Sequence, residues 1–459
     1  MLTVTESIEQ GFPTPQRYFA AAAILIGVFM ASLDSSIINI SLPSISRSLK
    51  IDPASAIWIT NSYQVASAAT MLICASLGSL IGERRFYTIG MILFTLSSFG
   101  CGVSHTFPIL ISMRIIQGIS YAIMISVGLG LYRIIFPPHS IGTIFGFNAL
   151  AFAVGTATGP SLGGMIISYL SWQWLFYINI PLGILAIFFS LKHLGFDKSN
   201  KKGFDFIGST ISAIAFGLLV ISVNNIGKSN NPIIILGIIS SLILFVIFIT
   251  IQKRSKNPLL PLDIFKSKKY SFAVLSSMIM FISQGMALVA LPFALQHTYS
   301  YSALESALIF TPWPVAVAIC APIAGKLSNR FNPTQISTAG IACLCIGLAL
   351  LAGLPENLTI FDCLWRIAIC GIGYGLFLPP NNKEMFSNVE KKRTVTASGV
   401  LSTARTAGQS IGAALVAMII VLLKETSDSL GQHFIIYVFG TACFISVLSC
   451  LASILRVHK

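Results

Sequence analysis

One carboxylate in this chain stands where a carboxylate is expensive. Asp34 lies about fifteen residues into an apolar run, roughly 22 Å along a helix rising 1.5 Å per residue, well away from the inner headgroups of a bilayer. An unpaired carboxylate at such depth costs several kcal/mol, and a residue of this kind marks an ion or proton path by default. Desolvation favours its protonated form, so it can bind a proton from outside and release it inside, or exchange it for a cation. The structural alternative is a helix–helix hydrogen bond or an ion pair that only locks a bundle. Ser41, seven residues on, shares its face.

Arg114, Gln117 and Tyr121 follow at i, i+3 and i+7 on one face of a second apolar run. A buried Arg stays charged, so it pairs with an acid or lines a wet cavity. Close to Asp34 it would favour the carboxylate, and protonation would then break the pair, which is the logic of a switch. Trp58, Asn61 and Gln64 recur at helical spacing in another run, either as a polar and aromatic cavity wall or, for the Trp, as an interfacial anchor. Arg405, two turns into a late run and followed by Gly408 and Gly412, is the costliest charge of the second half of the chain. Glu305 reads as an entrance residue or a solvated one.

Gly155, Gly159 and Gly163 fall at i, i+4 and i+8, with Pro160 and Gly164 beside them. Small residues at that period bare a helix face for close packing in membranes, and Pro160 removes a backbone donor and bends the helix. The run is a hinge or seal between halves, or a static packing motif.

Covalent chemistry has no foothold. There is no GxxxxGK[ST] next to a strand and no HExxH, and the His residues fall at or near loops and termini. No cofactor or metal site is expected, and no enzymatic activity. The nine cysteines lie almost wholly in apolar runs without a CxxC pair, as small hydrophobic packing residues do.

The elements that must position these side chains are membrane spans. With 55% hydrophobic and 10% charged residues among 459, and a mean hydropathy of +0.83, too few polar groups remain to cover a soluble globule. Apolar runs lie near 18–42, 56–77, 86–104, 108–131, 142–167, 175–194, 205–225, 232–252, 271–296, 304–326, 334–354, 361–380, 396–423 and 434–455, which predicts fourteen transmembrane helices. Backbone groups in lipid must be satisfied internally, and runs of about 20 residues suit helices rather than barrel strands, so the fold class is an all-α polytopic bundle. The first run follows polar Glu6 to Arg17 and ends in Leu42-Pro43 without a small-residue cleavage site, so it reads as a retained span.

A formal charge of +14 would suit nucleic acid, but the distribution of Lys and Arg excludes that reading. With both termini cytoplasmic, the inner loops gather Arg84, Arg85, Arg133, Lys192, Lys201, Lys202, Lys253, Arg254, Lys268, Lys269, Arg330 and Lys391 to Arg393 among others, while the outer ones hold Arg47, Lys50, Lys228 and Lys424. This is the positive-inside pattern, with lipid headgroups as partners. Two segments also return at nearly one offset: Arg114–Tyr121 as Arg366–Tyr374, and Ala75–Gly82 as Gly325–Asn332. Two six-span halves, 1–194 and 270–459, are expected, with two additional spans and basic flanks over 195–269 and the site at the interface of the halves.

Five segments then take on a family order. Leu33-Asp34-Ser-Ser-Ile-Ile-Asn39-Ile-Ser-Leu-Pro43, Trp58–Tyr63, Arg114-Ile-Ile-Gln117-Gly118, Gly155–Gly164 and Trp172–Gly183 resemble, in sequence, the signatures of the fourteen-span drug:proton antiporters of the major facilitator superfamily. The resemblance covers nearly the whole chain and implies a major facilitator fold, with Asp34 and Arg114 in proton or cation coupling. Asn39, Trp58, Asn61, Gln64, Gln117, Tyr121 and Arg405 are the cavity candidates. The loop after the second span departs from the family pattern: Ser79, Leu80 and Glu83 stand where it has Asp, Arg and Arg. Glu83, Arg84, Arg85 and Arg330 are the remaining gating candidates.

The function expected is proton-coupled export of amphipathic, cationic or lipophilic toxic compounds across a bacterial inner membrane by alternating access. A carrier for one specific metabolite and a non-transporting scaffold or sensor are the alternatives. A link to an outer-membrane channel would need adaptor proteins.

Overall fold

The computed structural model describes residues 11–137, 140–195, 205–225, 231–255, 258–260, 262–328, 330–387, 389, 394–424 and 431–457. Among them the chain is helical from end to end: α1 Gln16–Leu49, α2 Pro53–Ile81, α3 Glu83–Gly102, α4 Phe107–Ile135, α5 Ile141–Tyr169, α6 Trp174–Leu194, α7 Phe206–Asn224, α8 Asn231–Arg254, α9 Lys268–Thr298, α10 Ala303–Leu327, α11 Pro333–Ala352, α12 Ile360–Ser387, α13 Thr394–Lys424 and α14 Gln432–Val457. The loop residues Lys198, Lys201, Lys202, Lys256 and Lys391 to Arg393 lie outside the described residues.

Local chemistry sets the helix ends. α1 closes on Lys50 in the left-handed region (φ 53°), and Asp52 then accepts the Ala54 N–H at 2.9 Å with Pro53 at the first helical position, where a missing N–H costs nothing. A single glycine with φ 102°, Gly82, separates α2 from α3. α10 opens with a reciprocal cap: Ser302 accepts the Glu305 N–H at 3.2 Å and Glu305 accepts the Ser302 N–H at 2.8 Å. Glu305, read from sequence as an entrance residue or a solvated one, is thus engaged in starting its own helix.

The span count needs correction. Among the described residues twelve helices are long and apolar enough to cross a membrane, not the fourteen expected. The two outside that set are α2 and α3. α3 begins with Glu83, Arg84 and Arg85, whose charges dilute its apolar stretch, while α2 carries Trp58, Thr60, Asn61, Ser62 and Gln64 in its first half.

Burial orders the bundle. The apolar stretch of α9 is 78% buried and those of α1 and α13 67%, against 17% for α8, so α1, α9 and α13 are central and α8 is a rim helix. α1 packs on α5, α2 on α4, and α3 on α4; the same partnering recurs as α9 on α13, α10 on α12 and α11 on α12. The two sets meet where α2 lies along α13, α5 along α10 and α1 along α9, and α7 leans on the α2–α13 seam with α8 behind it.

The sequence echo has a physical counterpart. A Cβ on Gly118 of α4 would collide with the carbonyl oxygen of Tyr63 on α2, and one on Gly371 of α12 with that of Trp313 on α10. Each glycine lets one backbone cross another at van der Waals distance.

Candidate functional site

α1, α4 and α6 converge on Asp34, which is fully buried. Arg114 Nη1 donates to its Oδ2 at 2.6 Å. Gln117 Nε2 and Asn179 Nδ2 donate to its Oδ1 at 3.1 and 3.0 Å. The carboxylate is thus held by a cation and two amides, as a buried charge must be. Arg114 is held in turn: Nε donates to the Ile59 carbonyl at 2.9 Å, Nη1 to Gln117 Oε1 at 2.6 Å, and the guanidinium lies 4.3 Å from the centre of the Tyr63 ring and 5.8 Å from that of Phe176. Gln117 also donates to Ser98 Oγ at 2.7 Å.

The pairing is nearly saturated but not complete. Arg114 Nη2 and Asn179 Oδ1 are buried without a hydrogen-bond partner among the described residues. One unused donor on the cation and one unused acceptor on the amide leave room for a second arrangement, in which a protonated Asp34 no longer takes the guanidinium.

The structure brings Asp34, Arg114 and Gln117 into this cluster and adds Asn179, Tyr63, Phe176 and Ser98, which the sequence reading did not single out as site residues. Asn179 and Phe176 belong to the segment 172–183 and Tyr63 to 58–63, so their signal was the motif, not spacing. Asn39 stands apart, accepting from Thr60 Oγ1 at 3.2 Å. Tyr121 packs its ring 5.5 Å from Tyr63. Trp58 is half-buried in the first turns of α2.

The remaining candidates lie where the two sets of helices meet. Asn61 accepts from Ser410 of α13, while its amide nitrogen and Gln64 Oε1 are buried without partners among the described residues. Arg405 of α13 lies 4.4 Å over the Phe152 ring of α5. The glycine ridge turns inward on its own half: a Cβ at Gly155 would strike Ser32, one at Gly159 would fall 2.6 Å from the Ser36 Cβ, and one at Gly163 2.8 Å from Ile40 Cγ2, all on α1. Buried Pro160 follows the same face. Gly164 alone of the ridge touches the other half, with the Ala307 Cβ 2.6 Å from where its own would be.

At the start of α3, Arg84 donates to the Leu194 carbonyl at 3.5 Å and lies 4.8 Å over the Phe12 ring. Glu83 is half-buried against Gly130, and Arg85 and Arg330 are exposed. No three His, Cys, Asp or Glu side chains stand together as metal ligands among the described residues.

The Major Facilitator Superfamily model matches residues 24–413. The chain is 36% identical to the uncharacterized transporter YebQ of Escherichia coli (strain K12), covering 98% of this chain and 97% of that one. It is 29% identical to the riboflavin transporter RibZ of Clostridioides difficile (strain 630), over 94% and 96%. With the multidrug resistance protein Stp of Mycobacterium tuberculosis (strain CDC 1551 / Oshkosh) it shares 31% identity over 89% and 76%. Among solved structures, a bacterial homolog of the human lysosomal transporter Spinster aligns with a TM-score of 0.69 at 14% identity over 97% and 98%, a likeness of fold.

Proposed function

Because the chain belongs to the Major Facilitator Superfamily and is a multi-span membrane transporter, we propose that it is a proton-coupled antiporter. It exports amphipathic organic compounds by alternating access, and Asp34 is its proton carrier. The observation that carries the reading is the fully buried Asp34–Arg114 pair with its two amide ligands. Protonating Asp34 removes the charge that balances Arg114, and Arg114 cannot give up its own. The cation must then find other acceptors or water, which favours a different packing of α1, α4 and α6. Substrate leaving the cavity and proton entering Asp34 would favour opposite packings, and that is coupling.

In this reading α2 and α3 cross the membrane as well, because a turn of only Gly82 joins them and α2 lies along α4 and α13. Residues 1–194 and 270–459 form the two moving halves, with 195–269 as peripheral scaffold. The termini face the cytoplasm of a bacterial inner membrane. Protons, lipids and small amphipathic molecules are the partners, and adaptor proteins would be needed to reach an outer-membrane channel. The identity to RibZ favours a second reading, a carrier dedicated to one metabolite.

Everted vesicles test the proposal. Wild type should release protons when an exported dye is added, and Asp34→Asn at equal expression should not. Wild-type proton release from the mutant would remove Asp34 from the coupling role. Competition by riboflavin but not by unrelated dyes would favour the dedicated carrier.

A further inference from the structure

The charge of the central interface is positive, and from it we infer a substrate class. We propose that Arg405 is the substrate-anchoring residue of the exporter proposed above, and that the preferred cargo is a planar aromatic molecule carrying an acid group rather than a cation. The inference rests on that export reading and assigns the chemistry of its cavity.

Acids are absent where a cationic drug would need one. Among the described acids, Glu83 begins α3, Glu305 and Asp362 lie in the first turns of α10 and α12, Glu384 lies near the end of α12, and Asp52, Asp205, Asp263 and Glu356 lie outside the long helices. Asp34 is the one deep in a helix, and it is fully buried with Arg114, Gln117 and Asn179 on its oxygens. A cation entering between the halves therefore meets no carboxylate edge that is not already taken.

Arg405 offers the opposite. It lies 11 residues beyond Thr394, about 16 Å along α13, so it cannot be read as a headgroup contact. It is half-buried, and its guanidinium lies 4.4 Å from the centre of the Phe152 ring on the facing set of helices. Tyr121 is within its electrostatic reach, and the Tyr63 ring packs at a tilt 5.5 Å from that of Tyr121. Arg cannot discharge by losing its proton, and its in-plane N–H groups match a carboxylate or an imide oxygen two at a time. An aromatic ring lies over the guanidinium face already, so a flat ligand can share that stack while its acid takes the guanidinium edge. Neighbouring amides extend the polar wall: Gln409, four residues on, donates to Gln284 at 3.3 Å, and Gln64 Oε1 and Asn61 Nδ2 are buried without partners among the described residues.

A matched pair of dyes separates the charges. Fluorescein and rhodamine 123 share a xanthene ring and differ in sign, and their binding to the purified full chain in nanodiscs is read by fluorescence anisotropy. Wild type should bind fluorescein about ten-fold more tightly or better, the size of one charge-assisted bidentate contact. Arg405→Gln should lose that preference by weakening fluorescein about ten-fold while leaving rhodamine 123 unchanged or tighter, and Arg405→Lys should recover part of it. Equal or tighter rhodamine 123 binding by wild type, no binding of either dye, or undiminished fluorescein binding by Arg405→Gln would each overturn the proposal. Export is read separately, with neutral Nile red in proteoliposomes under a pH gradient. Movement of Nile red without a preference for fluorescein defeats only the assignment of charge, whereas fluorescein binding without gradient-driven movement of any dye defeats the export reading instead.

Discussion

At the residue scale the Asp34–Arg114 pair separates stability from coupling. Removing one partner of a buried ion pair leaves the other charge stranded, at a cost of about 3–5 kcal/mol, whereas removing both is close to neutral. Asp34→Asn should therefore lower the thermal midpoint in detergent, and Asp34→Asn with Arg114→Gln should restore most of it. Neither variant should couple export to protons, because the second repairs the charge balance without returning a titratable group. Restored coupling in the double variant would mean that the pair is structural and the proton travels elsewhere. The sequence announces Asp34, Arg114 and Gln117, because a charge in an apolar run is conspicuous and i, i+3 spacing places two side chains on one face. It does not announce Asn179, which reaches Oδ1 from α6 at 3.0 Å. Helical periodicity orders residues within one helix and is silent on which helix comes to meet it.

At the element scale the small-residue ridge of α5 fixes how α5 sits on its neighbour. Gly155, Gly159 and Gly163 seat α5 on α1, the helix that bears Asp34, so over most of its length the ridge supports the Asp34 cluster and does not face the other set of helices. The period of the glycines was readable in the sequence; the helix they face was not, since a bare face fits any partner. Gly159→Val should push α5 from α1 at Ser36 and reduce turnover at least ten-fold while substrate binding changes little. Unaltered efflux at normal expression would make the ridge filler. The crossing of α2 is testable by labelling in a cysteine-free background. Asp52→Cys should react with a membrane-impermeant maleimide from outside and Arg85→Cys from inside, and reaction of both from one side would show that α2 does not cross. Its polar first half is useful where it lies, because Asn61 meets Ser410 of α13 and not lipid.

At the scale of the whole molecule, two sets of helices with the same internal partnering meet along α2–α13, α5–α10 and α1–α9. The weak sequence echo foreshadowed this through Gly118 and Gly371, yet it did not repeat the chemistry. Arg366, the counterpart of Arg114, is half-buried, donates to the Gly353 carbonyl at 3.4 Å and lies over the Trp365 ring, with no buried acid as partner among the described residues. The two sets thus carry different charges, the buried Asp34–Arg114 pair in the first and Arg405 in the second. Motion must pass between them through their contacts. At the ends of α1, α5, α9 and α10 that the positive-inside pattern places outside, Gln296 donates to the Ile40 carbonyl at 2.9 Å, Arg47 reaches Gln296 at 3.4 Å, and Ser161 meets Thr311 at 3.4 Å. Alternating access requires these contacts to part once in every cycle, since substrate has no other way out between the halves. Cysteines at Ser161 and Thr311, again in a cysteine-free background, should therefore cross-link under mild oxidation, arrest proton-driven export almost completely, and release it on reduction. Binding from the inner side should survive the cross-link, because the contacts it freezes lie at the opposite end of the bundle. Full export by the oxidised protein would mean that the halves do not separate at this seam, and the alternating motion would have to be sought within one half.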